Sequence, residues 1–394
     1  MKNNLILGLA IVSMLFSCTT DDTADVVIND NSVINNNGNG GGPTDPETIF
    51  LSGTYTEDLT LDANNTYKVN GPLIMAAGTT LTIPAGMTIE ALAAGANVYI
   101  AIAQDATIIA NGTADNPIVL TSDASNPSAG DWGGLIVLGR APINSVTGTA
   151  TATSEIAALP FGGQDGDDDS GIIRYVRVEY SGGAADGQSE NNGISFYGVG
   201  RGTIVEYIQA YEGKDDGVEF FGGTVNVNYM SVVNCQDDSI DWTEGYTGTI
   251  TNAYVKHGAS HDKGIEADGY NTDFSNAAGY FSKPTVTNLT IIGNGSATGN
   301  EAIRLRAGTQ GIFNNVWIEG FEEGFDLDGD SGDNPTGAGV LNGDTSVTDV
   351  TFMDVTLNMK NDTGEVFTEA DFISGIGNGT GTDYATWGAN WTVE

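Results

Sequence analysis

Asp216-Gly217-Val218-Glu219-Phe220 recurs down the chain with its apolar positions kept and its polar ones varied. Asn192-Gly193-Ile194-Ser195-Phe196 precedes it. Asp238-Ser239-Ile240-Asp241-Trp242, Lys263-Gly264-Ile265-Glu266-Ala267, Glu301-Ala302-Ile303-Arg304-Leu305 and Glu323-Gly324-Phe325-Asp326-Leu327 follow. The central apolar residues lie at 194, 218, 240, 265, 303 and 325, at intervals of 24, 22, 25, 38 and 22 residues. Each unit alternates like a short strand with one apolar face. A second strand goes with each, as in Thr203–Ile208, Val225–Met230, Thr249–Tyr254, Thr285–Thr290, Gly311–Val316 and Ser346–Thr351. Its fourth position reads Glu206, Asn228, Asn252, Asn288, Asn314 and Asp349, which predicts a ladder of side-chain amides from coil to coil.

A repeat of 22 to 25 residues made of short strands and turns is the size of one coil of a parallel β-helix. One coil cannot bury its inward side chains alone; stacking builds a continuous core. The leucine-spaced consensus of the rival leucine-rich repeat is absent. The 38-residue interval fits one coil plus a loop of about a dozen residues at Asn271 to Lys283. Upstream, Leu81–Gly86, Ala106–Thr113, Pro117–Thr121 and Gly133–Gly139 read as further strand and turn units. The predicted fold is all-β, a right-handed parallel β-helix over residues 48–394. Trp387 and Trp391 are expected to cap its last coil, and Cys235 to be a small buried hydrophobe.

Strand parity points Val218, Ile240, Ile265, Ile303 and Phe325 inward. The residues after them form an outward column, Ser195, Glu219, Asp241, Glu266, Arg304 and Asp326. A second column, two residues on, reads Tyr197, Phe221, Thr243, Asp268, Arg306 and Asp328. Successive coils stack about 4.8 Å apart, so the carboxylates repel one another unless something compensates. Arg304 and Arg306 neutralise part; a bound cation or ligand is the natural remainder. The turns before the strands are acidic too, at Asp215-Asp216, Asp237-Asp238, Asp262 and Glu322-Glu323. Tyr197 and Phe221 are expected to be exposed beside the carboxylates, where sugars would stack on them. The candidate ligand-binding set is therefore Tyr197, Glu219, Phe221, Asp241, Glu266, Asp268, Arg304 and Arg306.

Two loops carry carboxylates at alternate positions, as calcium sites do: Asp326, Asp328, Asp330 and Asp333, and Asp165, Asp167 and Asp169. Neither is an EF-hand. With two histidines and no thiolate pair, zinc is not indicated.

The chain holds 52 acidic and 13 basic residues, a formal charge of −39, and 55 glycines among 394 residues. So few cations exclude a nucleic-acid-binding face. The basic start Met1-Lys2-Asn3-Asn4 and the apolar stretch Leu5 to Phe16 read as a signal peptide over residues 1–17. Leu15-Phe16-Ser17-Cys18 resembles the lipobox of bacterial lipoproteins, which implies lipidation of Cys18 and membrane attachment through that anchor. Thr19-Thr20-Asp21-Asp22 resembles the surface-export signal of Bacteroidota lipoproteins, which implies the outer membrane, facing the medium. Residues 18–47, with Asn35 to Gly42 and Pro43, read as a flexible tether.

Two further resemblances concern function. Gln236-Asp237-Asp238-Ser239-Ile240 is similar to the paired-aspartate motif of polygalacturonases, with His261 a coil later and Arg304-Leu305-Arg306 near that family's Arg-Ile-Lys. The likeness implies inverting hydrolysis by Asp237, Asp238 and His261, with Arg304 and Arg306 holding the substrate carboxylate. It is local: the family's Gly-His-Gly is Ser260-His261-Asp262 here, its Asn-Thr-Asp is unmatched, and His257 and His261 read as loop histidines. A pectate-lyase reading would use the carboxylates for calcium and Arg304 or Arg306 as the base. Over its whole length the chain resembles Bacteroidota surface lipoproteins with pectate-lyase-like β-helix bodies. The likeness is carried by the lipobox, Gly130-Asp131-Trp132-Gly133-Gly134-Leu135-Ile136, Arg140-Ala141-Pro142-Ile143-Asn144 and Trp387-Gly388-Ala389-Asn390-Trp391. It implies capture of an extracellular glycan, as accessory to a TonB-dependent transporter. A polysaccharide lyase or hydrolase and a structural or adhesive protein remain the alternatives.

Overall fold

A computed structural model describes residues 46–184, 191–329 and 335–394. The expected lipidation site Cys18 and the tether up to residue 45 lie outside the described residues, as do Asp330 and Asp333. Parallel strands form a single 22-stranded sheet wound into coils, the arrangement of a right-handed parallel β-helix. The repeat sets the register as its spacing predicts. Ile194 pairs with Val218, Val218 with Ile240, Ile240 with Ile265, Ile265 with Ile303 and Ile303 with Phe325. These six are fully buried in the core that runs the length of the solenoid. Upstream the same column continues through Leu135, Ile100 and Leu73. The extra residues of the longest interval fall between strands Ile265–Asp268 and Thr285–Ile292, where the inserted loop was expected.

The glycine ahead of the inward residue has a packing reason. A Cβ on Gly217 would stand 2.6 Å from the Ser239 carbonyl oxygen, and one on Gly264 would stand 2.7 Å from that of Ala302. Neighbouring coils approach too closely there for a side chain.

Each long strand from Gly171–Glu179 on bends at a residue in the left-handed region. Successive coils place Tyr175, Tyr207, Tyr229, Asn252, Asn288, Asn315 and Asp349 there, with φ between 49° and 63°. Asn tolerates this conformation best among residues with side chains. Asn252 donates to Asn228 (2.9 Å), Asn288 to Asn252 (2.9 Å) and Asn315 to Asn288 (2.8 Å), so the amide ladder forms. Its last rung is Asn315 and not Asn314, because the bend falls one residue later in these coils than the aligned motifs suggest. Upstream, the column becomes a stack of tyrosines, with ring centroids 4.3 Å and 4.2 Å apart.

The terminal tryptophans do not cap the last coil. Residues 377–394 run back along the bends of earlier coils. Asn315 donates to the Gly381 carbonyl, Gln209 pairs with the backbone of Val393, and Arg177 donates to the Trp391 carbonyl. Trp391 packs edge-on against Tyr175 and Tyr207, and Trp387 lies against Tyr229. The edges of the tyrosine stack are thereby covered. At the C-terminal end it is Phe372 that packs against Phe325, edge-on at 5.3 Å.

Replacing Asn288 by Ala removes a donor and an acceptor of the ladder and puts Ala in the left-handed region. Two hydrogen bonds at about 1 kcal/mol each and about 1 kcal/mol of backbone strain give an expected loss of 2–3 kcal/mol. Asn288→Gly should lose only the hydrogen-bond part. Urea denaturation of both variants checks this; a loss below ~0.5 kcal/mol for Ala would show the ladder to be ornamental.

Candidate functional site

The outward column forms in the predicted order, with Ser195, Glu219, Asp241, Glu266, Arg304 and Asp326 in register on successive coils. Exposure is where parity misled. Tyr197 and Phe221 are only 2% exposed. They stack at 3.9 Å, Phe161 packs edge-on to Tyr197, and Ile143 and Ile156 complete a second apolar cluster. The segment between strands Leu135–Leu138 and Gly171–Glu179 supplies that cover, because outward Ile136, Leu138, Tyr197 and Phe221 are too apolar to leave wet. These two aromatics therefore form no sugar platform. Trp242 points inward, as parity required, and Cys235 is buried with its thiol pushed up to about 12 by burial.

The covering segment also walls one side of a cavity of about 470 Å³. Nine carboxylates, three cations and Asn192 line it. Of the residues singled out in the sequence, the cavity gathers Glu219, Asp237, Asp238, Asp241, Glu266, Arg304 and Arg306. His261 is not among its lining. It stacks on His257 at 4.2 Å, with its Nδ1 3.1 Å from the Asp262 carbonyl. His257 is no surface-loop histidine: it is buried against Phe321, and burial with the neighbouring His261 pushes its pKa down to about 3.

The acidic turns link the coils. The Asp216 carboxylate accepts the backbone N–H of Asp238 at 2.9 Å, and that of Asp238 accepts the N–H of Lys263 at 2.7 Å. Beyond this, the cavity divides electrostatically. On one side Lys263 lies 3.0 Å from Glu266, 3.8 Å from Asp238 and 2.6 Å from Asp262. Arg306 pairs with Glu266 and Asp268, and Arg304 pairs with Asp328 at 2.5 Å. Burial alone would lower Lys263, but Asp238, Glu266 and Asp262 together hold it above its ordinary value. The other side has Asp216, Glu219 and Asp241. Among the described residues no ion pair joins any of these three to a Lys or Arg. Asn192 donates to Glu219 at 2.6 Å, and Asp241 Oδ1 is buried without a hydrogen-bond partner. Burial, followed by neighbouring carboxylates, holds all three well above the usual carboxylate range.

Asp216, Glu219 and Asp241 each bring an oxygen within 4.8 Å of the others, as do Asp238, Asp241 and Glu266. Oxygens bound to one calcium at 2.3–2.6 Å lie no more than about 5 Å apart, so the first triad fits a hard divalent cation. In the second triad Lys263 already serves. The loop expected to bind calcium at Asp165, Asp167 and Asp169 is used otherwise. Asp165 accepts the N–H of Asp167, Asp169 that of Gly171, and Asp167 pairs with Arg201 at 3.3 Å. Short turns favour such bonds two residues on, and they aim the carboxylates apart. In the other expected loop Asp328 pairs with Arg304, while Asp330 and Asp333 lie outside the described residues.

The sequence reading missed Glu155, Asn192, Lys263 and Glu244. Glu155 comes from the covering segment, which carries no repeat signal. Lys263 occupies the turn position of Asp216 and Asp238, and that alignment could have revealed it. Glu244, 2% exposed, accepts a hydrogen bond from Ser145 at 2.7 Å and so clamps the covering segment to the solenoid.

A family model described as a pectate-lyase like β-helix domain matches residues 53–392, and the chain belongs to that family. That membership fits a polysaccharide-related role. Comparisons with curated proteins and with solved structures gave no significant match.

Burial pushes Glu244 up to about 7. Its folded form keeps a proton that the unfolded chain releases near 4.5, so its contribution to stability is full below that pH and is lost as pH rises towards 7. Asp216, Glu219, Asp238 and Asp241 act in the same sense. Stability measured by denaturant in the presence of chelator should fall between pH 4.5 and 7, with Glu244 responsible for up to about 1.4 kcal/mol per pH unit. Glu244→Gln should flatten that slope; an unchanged slope would rule the residue out as its source.

Proposed function

We propose that the protein is an outer-membrane surface lipoprotein that binds extracellular polysaccharide in the acidic cavity, with calcium bridging polymer and protein. The observation that carries the reading is the Asp216–Glu219–Asp241 triad, three convergent carboxylates that form no ion pair with Lys or Arg among the described residues, in a polysaccharide-related fold. A divalent ion there would offset their mutual repulsion and offer open coordination positions to sugar hydroxyls and carboxylates. Arg304 and Arg306, at the other end, carry guanidinium edges suited to an acidic sugar. Anchoring at Cys18, surface exposure and an accessory role beside a TonB-dependent transporter rest on the N-terminal and full-length resemblances.

Cleavage of the same polymer is the second reading. It is favoured by Asp238, whose carboxyl is held well above the usual range by burial and then by Glu266, as a general acid requires. Against it, oxygens within 4.8 Å suit one ion better than the gap of roughly 6.5–9.5 Å that an inverting hydrolase leaves for water.

Calcium at a hundredfold excess over its dissociation constant should stabilise the full-length protein by about 2.7 kcal/mol. In the same buffer the protein should be retained on an acidic polysaccharide, and chelator should release it. Asp241→Asn should lose most of both effects. Retention that ignores both chelator and Asp241→Asn would sink the calcium-bridged mode. New reducing or unsaturated ends that vanish in Asp238→Asn would replace binding by catalysis. For the address, Cys18→Ser should move the protein from the membrane fraction to the soluble fraction; unchanged fractionation would remove the lipid anchor.

A further inference from the structure

A second carboxylate group lies outside the cavity, two coils beyond the Asp216–Glu219–Asp241 triad. Glu301 and Glu323 are register partners on adjacent coils, and Asp326 follows one turn of the strand pattern later. Each offers an oxygen within 4.8 Å of the other two. Asp326 is only 3% exposed, and its Oδ1 has no hydrogen-bond partner. Glu323 Oε2 is likewise buried and without one. A buried carboxylate oxygen left without a hydrogen bond is costly and calls for an explanation.

The neighbouring cations do not supply it. Lys360, in register with Asp326 on the next coil, keeps its Nζ 3.7 Å from both Glu323 Oε1 and Asp326 Oδ1. It lies closer, at 3.2 Å, to exposed Asp362. Arg304 stands 3.8 Å from Asp326 and makes its short contact with Asp328. Both cations hover beyond hydrogen-bonding distance.

We propose that Glu301, Glu323 and Asp326 form a second, structural site for a hard divalent cation, calcium in particular, with Lys360 as its competitor. Three convergent carboxylates supply the hard oxygen donors such an ion takes. The ion would tie strand Glu301–Arg306 to strand Gly311–Leu327. On binding, Lys360 swings to Asp362, already its nearest partner. This site is independent of the polysaccharide reading.

Calcium titration calorimetry on the full-length protein tests it. Asp241→Asn silences the cavity triad, and this variant should still bind one calcium. Adding Glu323→Gln should weaken that binding at least tenfold. Adding Lys360→Met should tighten it several-fold, a gain that a purely structural role for these residues would not produce. Should Glu323→Gln fail to fold, Glu301→Gln provides the same test. The proposal falls if Asp241→Asn binds no calcium, or if its binding ignores both Glu323→Gln and Lys360→Met. A wild-type stoichiometry that ignores Asp241→Asn but drops by one in Glu323→Gln would support this site while removing the one in the cavity.

Discussion

Equivalent residues of successive coils stack about 4.8 Å apart, and every other feature of this molecule answers to that spacing. A column of aliphatic residues becomes a core, and a column of asparagines becomes a ladder in which each amide satisfies the next. A column of carboxylates is the hard case, because the spacing that favours the others forces like charges together. Three answers occur on one face. Asp216 and Asp238 turn an oxygen to a backbone N–H of the next coil. Glu266 and Asp268 are met by Lys263 or Arg306. Glu219 and Asp241 have neither answer, and burial with their acidic neighbours holds both well above the usual carboxylate range.

The fold was legible because it is repetitive. The register from Ile194 to Phe325 follows from aligning six short motifs, and strand parity then orders Glu219, Asp241, Glu266, Arg304 and Asp326 in one column. The inserted loop and the inward Trp242 follow from the same alignment. All of these are properties within the repeat. The site was legible to the same extent: its floor, made of coil residues, could be read, and its wall could not.

Apart from Asn192 and Lys263, most of what escaped involves residues outside the repeat. Parity says that Tyr197 and Phe221 face away from the core, but facing outward is not the same as facing water. The cover comes from a segment whose composition shows no period, and only its packing reveals that Ile143, Ile156 and Phe161 belong to a second core. Trp387 and Trp391 end the sequence and so suggested an end cap; they lie instead on the stacked tyrosines upstream, because that apolar ladder needs covering more than the last coil does. The offset of one residue between Asn314 and Asn315 is a matter of where the backbone bends, which the side-chain pattern alone does not encode.

The covering segment joins stability to function. Its apolar residues seal Tyr197 and Phe221, and its Glu155 reaches into the cavity. Burial and the neighbouring carboxylates make ionising Glu219 and Asp241 expensive. The same burial would strengthen their grip on a cation, since the Coulomb attraction it would make is less screened. If the proposed ion binds there, that cost is recovered on binding, a division common at sites where local rules are broken. Glu244 belongs to this logic. Buried at the joint between segment and solenoid, it accepts the hydrogen bond of Ser145 while burial pushes it up to about 7. A solenoid that needed only to be stable would have placed apolar or alternating charges in this column. On the proposed reading, the carboxylates beside this cover are kept to meet a ligand from outside.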